Sequence, residues 1–500
     1  MLRTLFALAL ATAAIDPSLL ANEKAQPPAQ PASADTPNAA DNSRGRRSAT
    51  TGKQPVADQQ TPIAQNTVAK KKRAAQEPVD TTELLDDLED YGAGGNTCGD
   101  TCGGACGDTC GQSGGGCGLF GGCGPWRCRC QPSWSPSDWL TTPAGSTRFY
   151  GWLNAGGIIN TGDPSSGFNG PYNQIDNNGG MFNQGYFVAE RALKSDDGIS
   201  LGGRFDVLFG NDFFLARSSG LEAGRDFSLD WNNQYYGLAL PQMYGQIGNR
   251  DFSVKVGHFY TVVGYEGVPA PVNFFYSKAY SYMFAGPFTH WGALASWNLS
   301  DRFTVDGGVV NGWNALDRTV NQAAFMGRAR LTGEDPRDWS AFSVISGNED
   351  TRIPQFGAKN RTRYSALWNM QLTDRFQYLF HHWLGFQGDA LANGKNALWY
   401  GLDQYVFYPL NDCWKLGFRF EWFRDEQGVR VGLNRPSNPN KPPFQGSFYS
   451  ASFGLNYSRT PNFIIRPELR FDFYEGKNKP FDDGIAVNQL MLGGDMIWMF

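Results

Sequence analysis

The sequence has little that would support a soluble enzyme or a helical membrane protein. After the N-terminus it contains no uninterrupted apolar run of transmembrane-helix length, and its mean hydropathy is -0.42, which excludes an ordinary helical membrane protein. Only 4 histidines occur in 500 residues, and neither a Walker loop nor a His-Glu-x-x-His motif is present. The net charge is -5 and is spread along the chain, so nothing indicates nucleic-acid binding. We therefore expect no enzyme activity, catalytic residue, cofactor, metal or nucleic-acid partner.

Aromatic residues and glycine are abundant instead. Phe, Tyr and Trp make up 14% of the chain and glycine counts 61. Strands of a transmembrane β-barrel alternate lipid-facing and lumen-facing side chains, so an aromatic-rich barrel keeps an unremarkable hydropathy. A soluble β-sandwich or β-propeller has a similar composition, and the pattern along the chain must separate these classes.

The N-terminal part of the chain has the features of an export signal followed by a linker. Residues 1–21 combine an early Arg3, a short apolar core and small residues, which predicts a signal peptide for export across the inner membrane. Residues 22–82 are rich in Ala, Pro and Gln, and we expect a disordered linker because such a segment buries too little apolar surface. Residues 83–140 contain a short acidic helix followed by a Cys/Gly-rich segment.

Eight of the 9 cysteines lie in this Cys/Gly-rich segment. Their even number favours disulfides in an oxidising compartment. Metal binding is the alternative, but the segment contains no histidine and its first four cysteines lack paired Cys-x-x-Cys knuckles. The disulfide candidates are Cys98, Cys102, Cys106, Cys110, Cys117, Cys123, Cys128 and Cys130.

From residue 146 onward the pattern changes to amphipathic strands with a period of two. The clearest examples are residues 198–209, 413–425 and 462–474, each with aromatic and aliphatic side chains on one face and charges of both signs on the other. Charges of both signs suit a water-filled lumen and predict weak ion selectivity. The predicted lumen-facing charges are Arg204, Asp206, Arg419, Glu421, Arg466, Glu468, Arg470 and Asp472.

Short turns and long loops alternate between these strands. Turns with Asp and its neighbours, such as 298–301 and 410–413, favour tight hairpins. Longer Gly/Asn/Pro-rich loops separate them, at 161–180, 211–232, 263–283, 314–320, 348–361, 388–396, 425–445 and 475–484. Seven turns and eight loops predict an all-β fold, a transmembrane antiparallel barrel of about sixteen strands over residues 146–500.

The final segment ends in a strand with a terminal aromatic. Counting back by twos from Phe500 through Trp498 gives a continuous non-polar face. This spacing resembles the signal by which bacterial barrel-assembly machinery recognises its clients. It predicts the bacterial outer membrane as the location and outer-membrane lipid as the surroundings.

Two segments carry a family resemblance: Val262–Lys278, which reads VVGYEGVPAPVNFFYSK, and Ala285–Trp291, which reads AGPFTHW. With the Trp-Asn-x-x-Asp-Arg-type turns and Phe500, they make residues 147–500 resemble the putative beta-barrel porin family, OmpL-like type. The resemblance implies an outer-membrane pore and names no substrate.

Residues 263–283 form the third long loop, which folds into the lumen in the sixteen-stranded general porins that this architecture resembles. Packing at a subunit interface or over the mouth is an equally weighted alternative. The constriction candidates are Glu266, Asn273, Tyr276 and Lys278, since fixed charges set ion preference.

The sequence therefore predicts passive diffusion of small hydrophilic solutes or ions, with a homotrimer left open. The alternative function is a structural barrel that anchors the envelope by cross-links from its cysteine-rich segment to cell-wall or envelope proteins.

Overall fold

A computed structural model of the chain describes residues 147–171, 178–193, 198–222, 235–316, 323–350, 355–431 and 444–500. The predicted signal peptide (1–21), linker (22–82) and helix with Cys/Gly-rich segment (83–140) lie outside these residues. Within the described ranges, the only α-helices are α1 (Phe213–Ala216) and α2 (Tyr280–Phe284), each a single turn. Neither described helix is long and apolar enough to span a membrane.

The described residues form seventeen strand segments in one antiparallel sheet. Their bounds are β1 (Arg148–Asn160), β2 (Gly179–Arg191), β3 (Ser200–Gly210), β4 (Gly237–Ala239), β5 (Met243–Gly248), β6 (Phe252–Tyr260), β7 (Thr289–Ser300), β8 (Phe303–Val310), β9 (Ala324–Thr332), β10 (Trp339–Asp350), β11 (Ala358–Gln371), β12 (Gln377–Gln387), β13 (Ala397–Pro409), β14 (Trp414–Asp425), β15 (Gly446–Thr460), β16 (Phe463–Gly476) and β17 (Asn488–Met499).

Two of these segments belong to one barrel strand. Both β4 and β5 pair with β3, with Leu208 opposite Ala239 and Phe205 opposite Met243. The residues between them interrupt the ladder, although Asp206 N still donates to Gln242 O at 2.8 Å. The sheet therefore has sixteen barrel strands, and the predicted closed antiparallel barrel is confirmed.

The barrel closes between β1 and β17. Their antiparallel register runs from Trp152 opposite Met499 to Asn160 opposite Met491. Phe500 extends the ladder by one residue, since its N–H donates to Gly151 O and its carbonyl accepts from Gly151 N, both at 2.9 Å. No edge strand is left at this seam, which removes the unpaired backbone groups that lipid cannot satisfy.

The strands alternate as the sequence pattern predicts, because successive side chains of a strand point to opposite faces. In β16, Arg466, Glu468, Arg470 and Asp472 are buried, whereas Leu469 is 43% exposed. In a closed barrel the charged side is the lumen and the apolar side faces lipid.

The connections alternate in length around the barrel. Short turns join β5 to β6, β7 to β8, β9 to β10, β11 to β12, β13 to β14 and β15 to β16, and longer connections join the intervening pairs. The β2–β3 turn at 194–197 lies outside the described residues. The connection from β6 to β7 is the third long one, and it contains α2 and the 3₁₀ turn Ala270–Val272.

Candidate pore and constriction

The connection between β6 and β7, residues 261–288, is here called the constriction loop. It lies inside the barrel, because it bonds to inward-facing side chains from several strands. Val268 O accepts from Gln184 of β2 at 2.8 Å, Ala285 O accepts from Trp399 of β13 at 3.0 Å, and Ala270 O accepts from Arg466 of β16 at 2.9 Å. Of the two placements that the sequence leaves open, the structure has the inward one.

Most of these contacts are made with one side of the lumen. We call the inner faces of β13, β14 and β16 the packed wall. At its centre, Arg419 is fully buried and its guanidinium pairs with Glu266 of the loop at 2.8 Å. It also donates to Ser277 O at 2.8 Å and lies 3.2 Å from Glu421. The loop therefore supplies part of the counter-charge that a buried guanidinium needs.

The other charges of the packed wall bond to loop backbone as well. Glu468 accepts from Ser277 N at 2.8 Å, and Glu421 accepts from Tyr280 N at 2.5 Å. Arg470 donates to Lys278 O at 2.9 Å and pairs with Asp472 at 2.9 Å. These charge-assisted bonds satisfy loop groups that would otherwise be buried without partners.

Arg466 completes this set on β16. Its guanidinium donates to Asn273 O and pairs with Asp495 of β17 at 2.5 Å. Asn154 of β1 donates to the same carboxylate at 2.7 Å. The loop is thereby bonded across the closing seam of the barrel.

The four constriction candidates from the sequence hold the loop in shape. Asn273 donates to Pro269 O at 2.7 Å, and Lys278 donates to Gly267 O at 2.5 Å. Tyr276 accepts from Asn183 at 3.1 Å. The Glu266 carboxylate bonds to Arg419, to Tyr405 of β13 at 3.1 Å and to Ala279 N at 2.8 Å.

Three glycines of the barrel wall, here called glycine seats, leave room for aromatic rings of the loop to pack against the sheet. A Cβ at Gly417 of β14 would overlap the ring of Phe274, and one at Gly454 of β15 would meet Phe275 at 3.0 Å. A Cβ at Gly156 of β1 would likewise meet Tyr276 at 2.8 Å. Because glycine has no side chain, the rings can lie directly against the sheet.

The two remaining predicted charges form a separate buried cluster on β3. Arg204 pairs with Asp206 at 2.8 Å and lies 3.5 Å from Glu190 of β2. Tyr186 donates to Asp206 at 2.5 Å. None of the eight predicted charges is more than 4% exposed, so each lies within a bonded network.

The opposite side of the lumen is less filled. We call the inner faces of β8, β9 and β10 the open wall. A cavity of about 80 Å³ lies between it and the loop. It is lined by residues 260–268 together with Tyr282 and Phe288, and by Arg328 and Arg330 of β9. A space of this size holds only a few water molecules.

Two arginines of the open wall face this cavity, and sequence reasoning did not single them out. Arg328 pairs with Asp306 of β8 at 2.6 Å, and the Arg330 guanidinium lies 4.8 Å from the ring centre of Trp339. The signal was available: from Arg328 to Thr332, charged and polar residues alternate with Ala329 and Leu331. Sequence reasoning missed this signal because the strand is short and its two charges have the same sign, unlike the mixed charges of the strands that were recognised.

Ser365, His381 and Asp403 are bonded in the order found in nucleophilic triads. His381 Nε2 lies 2.8 Å from Ser365 Oγ, and its Nδ1 lies 2.7 Å from Asp403 Oδ2. Ser281 of the loop donates to the same oxygen at 2.6 Å. All three wall residues are at most 2% exposed, so a substrate has no access to Ser365 while the loop is in place. This chain of hydrogen bonds anchors the loop.

A second enzyme-like pattern is also structural. Gly198 to Gly202 has the Gly-x-Ser-x-Gly spacing, but Ser200 begins strand β3 instead of a strand-to-helix turn. The elbow that exposes a nucleophile is therefore not formed.

Cys413, which lies just before β14 in a short turn, is buried and disulfide-bonded. The other eight cysteines of the chain all lie between Cys98 and Cys130, outside the described residues. The disulfides predicted for the Cys/Gly-rich segment therefore stay a prediction.

Residues 146–500 match the model of a family described as "Putative beta-barrel porin-2, OmpL-like". Among solved structures, the outer membrane channel DcaP of Acinetobacter baumannii is similar at 9% identity, with 72% of this chain and 99% of that chain covered and a TM-score of 0.47. The anion-selective porin from Comamonas acidovorans is similar at 6% identity, with 71% of this chain and 99% of that chain covered and a TM-score of 0.46. OmpT of Vibrio cholerae, expressed in the outer membrane, is similar at 11% identity, with 72% of this chain and 99% of that chain covered and a TM-score of 0.43. The search of curated proteins returned no match.

Proposed function

Because the chain belongs to the putative beta-barrel porin-2, OmpL-like family and to the bacterial outer membrane, we propose that it mediates passive diffusion of small hydrophilic solutes or ions. The observation that carries this proposal is the position of the constriction loop. The loop is bonded to the packed wall through Arg419, Arg466 and Arg470, and a cavity remains on its other side.

The composition of the lumen supports a passage for hydrophilic solutes. Ser296, Thr304 and Asp306 add polar groups to the inner faces of β7 and β8, where Ser296 donates to Asp306 at 2.6 Å. Polar walls allow a solute to exchange water for wall contacts at little cost, whereas the small cavity limits solute size. Small solutes and ions fit this geometry better than oligomers or folded chains.

Conductance of the purified full-length chain in planar lipid bilayers tests the proposal. We expect discrete channel openings and, in liposome-swelling assays, entry of small sugars but not of large ones. A preparation from cells lacking the chain controls for contaminating porins. Complete absence of channels and of swelling would overturn the proposal.

A matched pair of variants links the conductance to the proposed passage. Ala341 of β10 lies opposite Arg330 on the open wall, whereas Ala329 faces outward one residue away on β9. We expect Ala341→Trp to reduce single-channel conductance and Ala329→Trp to leave it unchanged. Equal conductance in both variants would place the passage elsewhere.

The eight cysteines between Cys98 and Cys130 support a second candidate function, a structural barrel that anchors the envelope through its cysteine-rich segment. We expect this function to produce multimers in unreduced outer membranes that disappear with a reducing agent. Channels without such multimers would support the porin alone, and multimers without channels would support the anchor.

A further inference from the structure

A stripe of polar side chains crosses the outer face of four neighbouring strands, β10 to β13. Ser346 of β10 lies opposite Phe325 of β9, which is 54% exposed, and directly opposite residues point to the same face of a sheet. The register of the next strands and the alternation along each strand place the other members on this outer face. We call this set the polar stripe: Ser346, Thr362, Tyr364, Tyr378, His382 and Gln404.

The polar stripe differs from the outer face near the closing seam. There β16, β17 and β1 present Leu469, Leu492 and Ile159, which are 43%, 53% and 66% exposed, as suits contact with lipid. In the polar stripe, His382 is the central residue of β12 (Gln377–Gln387), so its imidazole lies near the middle of the membrane. A polar group at that depth is costly when lipid surrounds it. The polar stripe is therefore better suited to contact with protein than with lipid.

Hydrogen bonds inside the polar stripe satisfy only some of its polar atoms. The Tyr364 hydroxyl lies 3.3 Å from His382 Nδ1. Tyr378 donates to Gln404 Oε1 at 2.8 Å. Among the described residues, neither His382 Nε2 nor Gln404 Nε2 has a hydrogen-bond partner. In lipid these two nitrogens would stay unbonded, which is unfavourable for a polar group removed from water.

The unused atoms of the polar stripe are complementary. With the Tyr364 hydroxyl donating to Nδ1, the ring proton of His382 is on Nε2, which becomes a donor. Gln404 Oε1 keeps a second lone pair beside the bond from Tyr378 and is the matching acceptor. Gln404 lies opposite Phe380, two residues from His382, so donor and acceptor are diagonal neighbours. A surface that holds both can pair with a copy of itself around a two-fold axis.

We propose that the polar stripe binds a second copy of this chain within the membrane, around a two-fold axis. Each His382 donates from Nε2 to Oε1 of the partner's Gln404, and the reciprocal bond forms on the other side of the axis. Phe342, which is 51% exposed and stacks on Tyr364 with 5.8 Å between ring centres, adds apolar contact beside these bonds. The assembly does not depend on conductance, so its test is independent of the proposed porin function.

Photo-crosslinking of the full-length chain in outer membranes tests the contact, with a reducing agent present so that disulfide-linked multimers do not contribute. Leu402 lies opposite His382 on the same outer face. A benzophenone amino acid in place of Leu402 should give an adduct of twice the mass of the chain that contains peptides of two differently tagged copies. The same amino acid in place of Leu469 on β16 is the control and should give no such adduct. Absence of the adduct at position 402, or its replacement by an adduct with another protein or with the N-terminal part of the same chain, would overturn the proposal.

The mass of the purified protein under the same reducing conditions is the second readout. We expect two copies for the wild type and one copy for the double variant His382→Leu with Gln404→Leu, which makes the centre of the polar stripe apolar. A heat-modifiable gel shift equal to that of the wild type shows that the variant barrel is folded. Leu469→Val with Leu492→Val changes the outer face at the seam and should leave two copies. One copy in the wild type, two copies in the double variant, or a three-copy ring, which joins two different faces, would overturn the proposal.

Discussion

The packed wall and the open wall have the same strand pattern but different surroundings. On both, charged side chains alternate with apolar ones and point into the lumen. On the packed wall, Arg419 and Glu421 are fully buried because the loop covers them, whereas Arg328 on the open wall stays partly exposed. A charge that faces the lumen is therefore not necessarily a charge that a solute meets. Contact with the constriction loop decides which role it has.

The largest difference between the walls is expected from Arg419→Met. The change leaves Glu266, Glu421 and Glu468 without their shared cation, and loss of one partner of a buried ion pair costs about 3–5 kcal/mol. We expect a lower unfolding temperature in heat-modifiability gels and larger, noisier channels because the loop is released. Arg375→Met, in an exposed turn, is the control and should resemble wild type. A variant with wild-type stability and quiet channels would show that the loop is held elsewhere.

A smaller effect is expected when a glycine seat is filled. Gly417→Leu forces the ring of Phe274 away from the packed wall, and overpacking of this kind costs about 1–3 kcal/mol. We expect altered conductance together with a modest loss of thermal stability. The matched change is Gly307→Leu on β8, where an added Cβ meets nothing within 4 Å. Similar behaviour of both variants would contradict the role of the seat.

Ser281→Ala removes one bond between the loop and the packed wall. The lost hydrogen bond to Asp403 is 2.6 Å long, and a bond to a charged group contributes about 1.5–3 kcal/mol, less where His381 still supports the carboxylate. We expect a slight fall in unfolding temperature and more frequent brief conductance changes. Ser281→Thr keeps the hydroxyl and should restore quiet channels. Absence of any kinetic change in the alanine variant would argue against this anchor.

The smallest effect on stability is expected on the open wall. Arg330→Lys keeps the charge and weakens the stacking on Trp339, which is worth about 0.5–1 kcal/mol. We expect unchanged ion selectivity and an unfolding temperature close to wild type. A large loss of stability would mean that the open wall is as tightly coupled to the loop as the packed wall.

The sequence predicts the barrel well because its main signals are local. The alternation in 462–474 places Arg466, Glu468 and Arg470 on one face regardless of what the rest of the chain does. The constriction loop carries a different kind of information. Its aromatic run from Phe274 is recognisable, but the glycine that accepts this ring, Gly417, is more than a hundred residues away, so sequence spacing gives no indication of the pairing.

Charge pairing is non-local for the same reason. Glu266 is attractive as a constriction charge when it is considered alone, but its partner Arg419 is 153 positions distant. Arg328 and Arg330 were missed because they lie on one of the shorter strands. The interruption between β4 and β5 was also not predictable, because it depends on how Asp206 and Gln242 bond across two strands.

The pairing of β1 with β17 also constrains how the molecule is made. Asn154 and Asp495 are separated by 341 positions in the chain, so β1 must wait for nearly all later strands before its second neighbour arrives. During that interval its free edge is a template for wrong pairing with other chains, and lipid offers no substitute partners. Shortened chains that lack β17 should therefore accumulate as aggregates, not as smaller barrels. We therefore expect assembly of this protein to depend on a factor that shields the first strand until the barrel is closed.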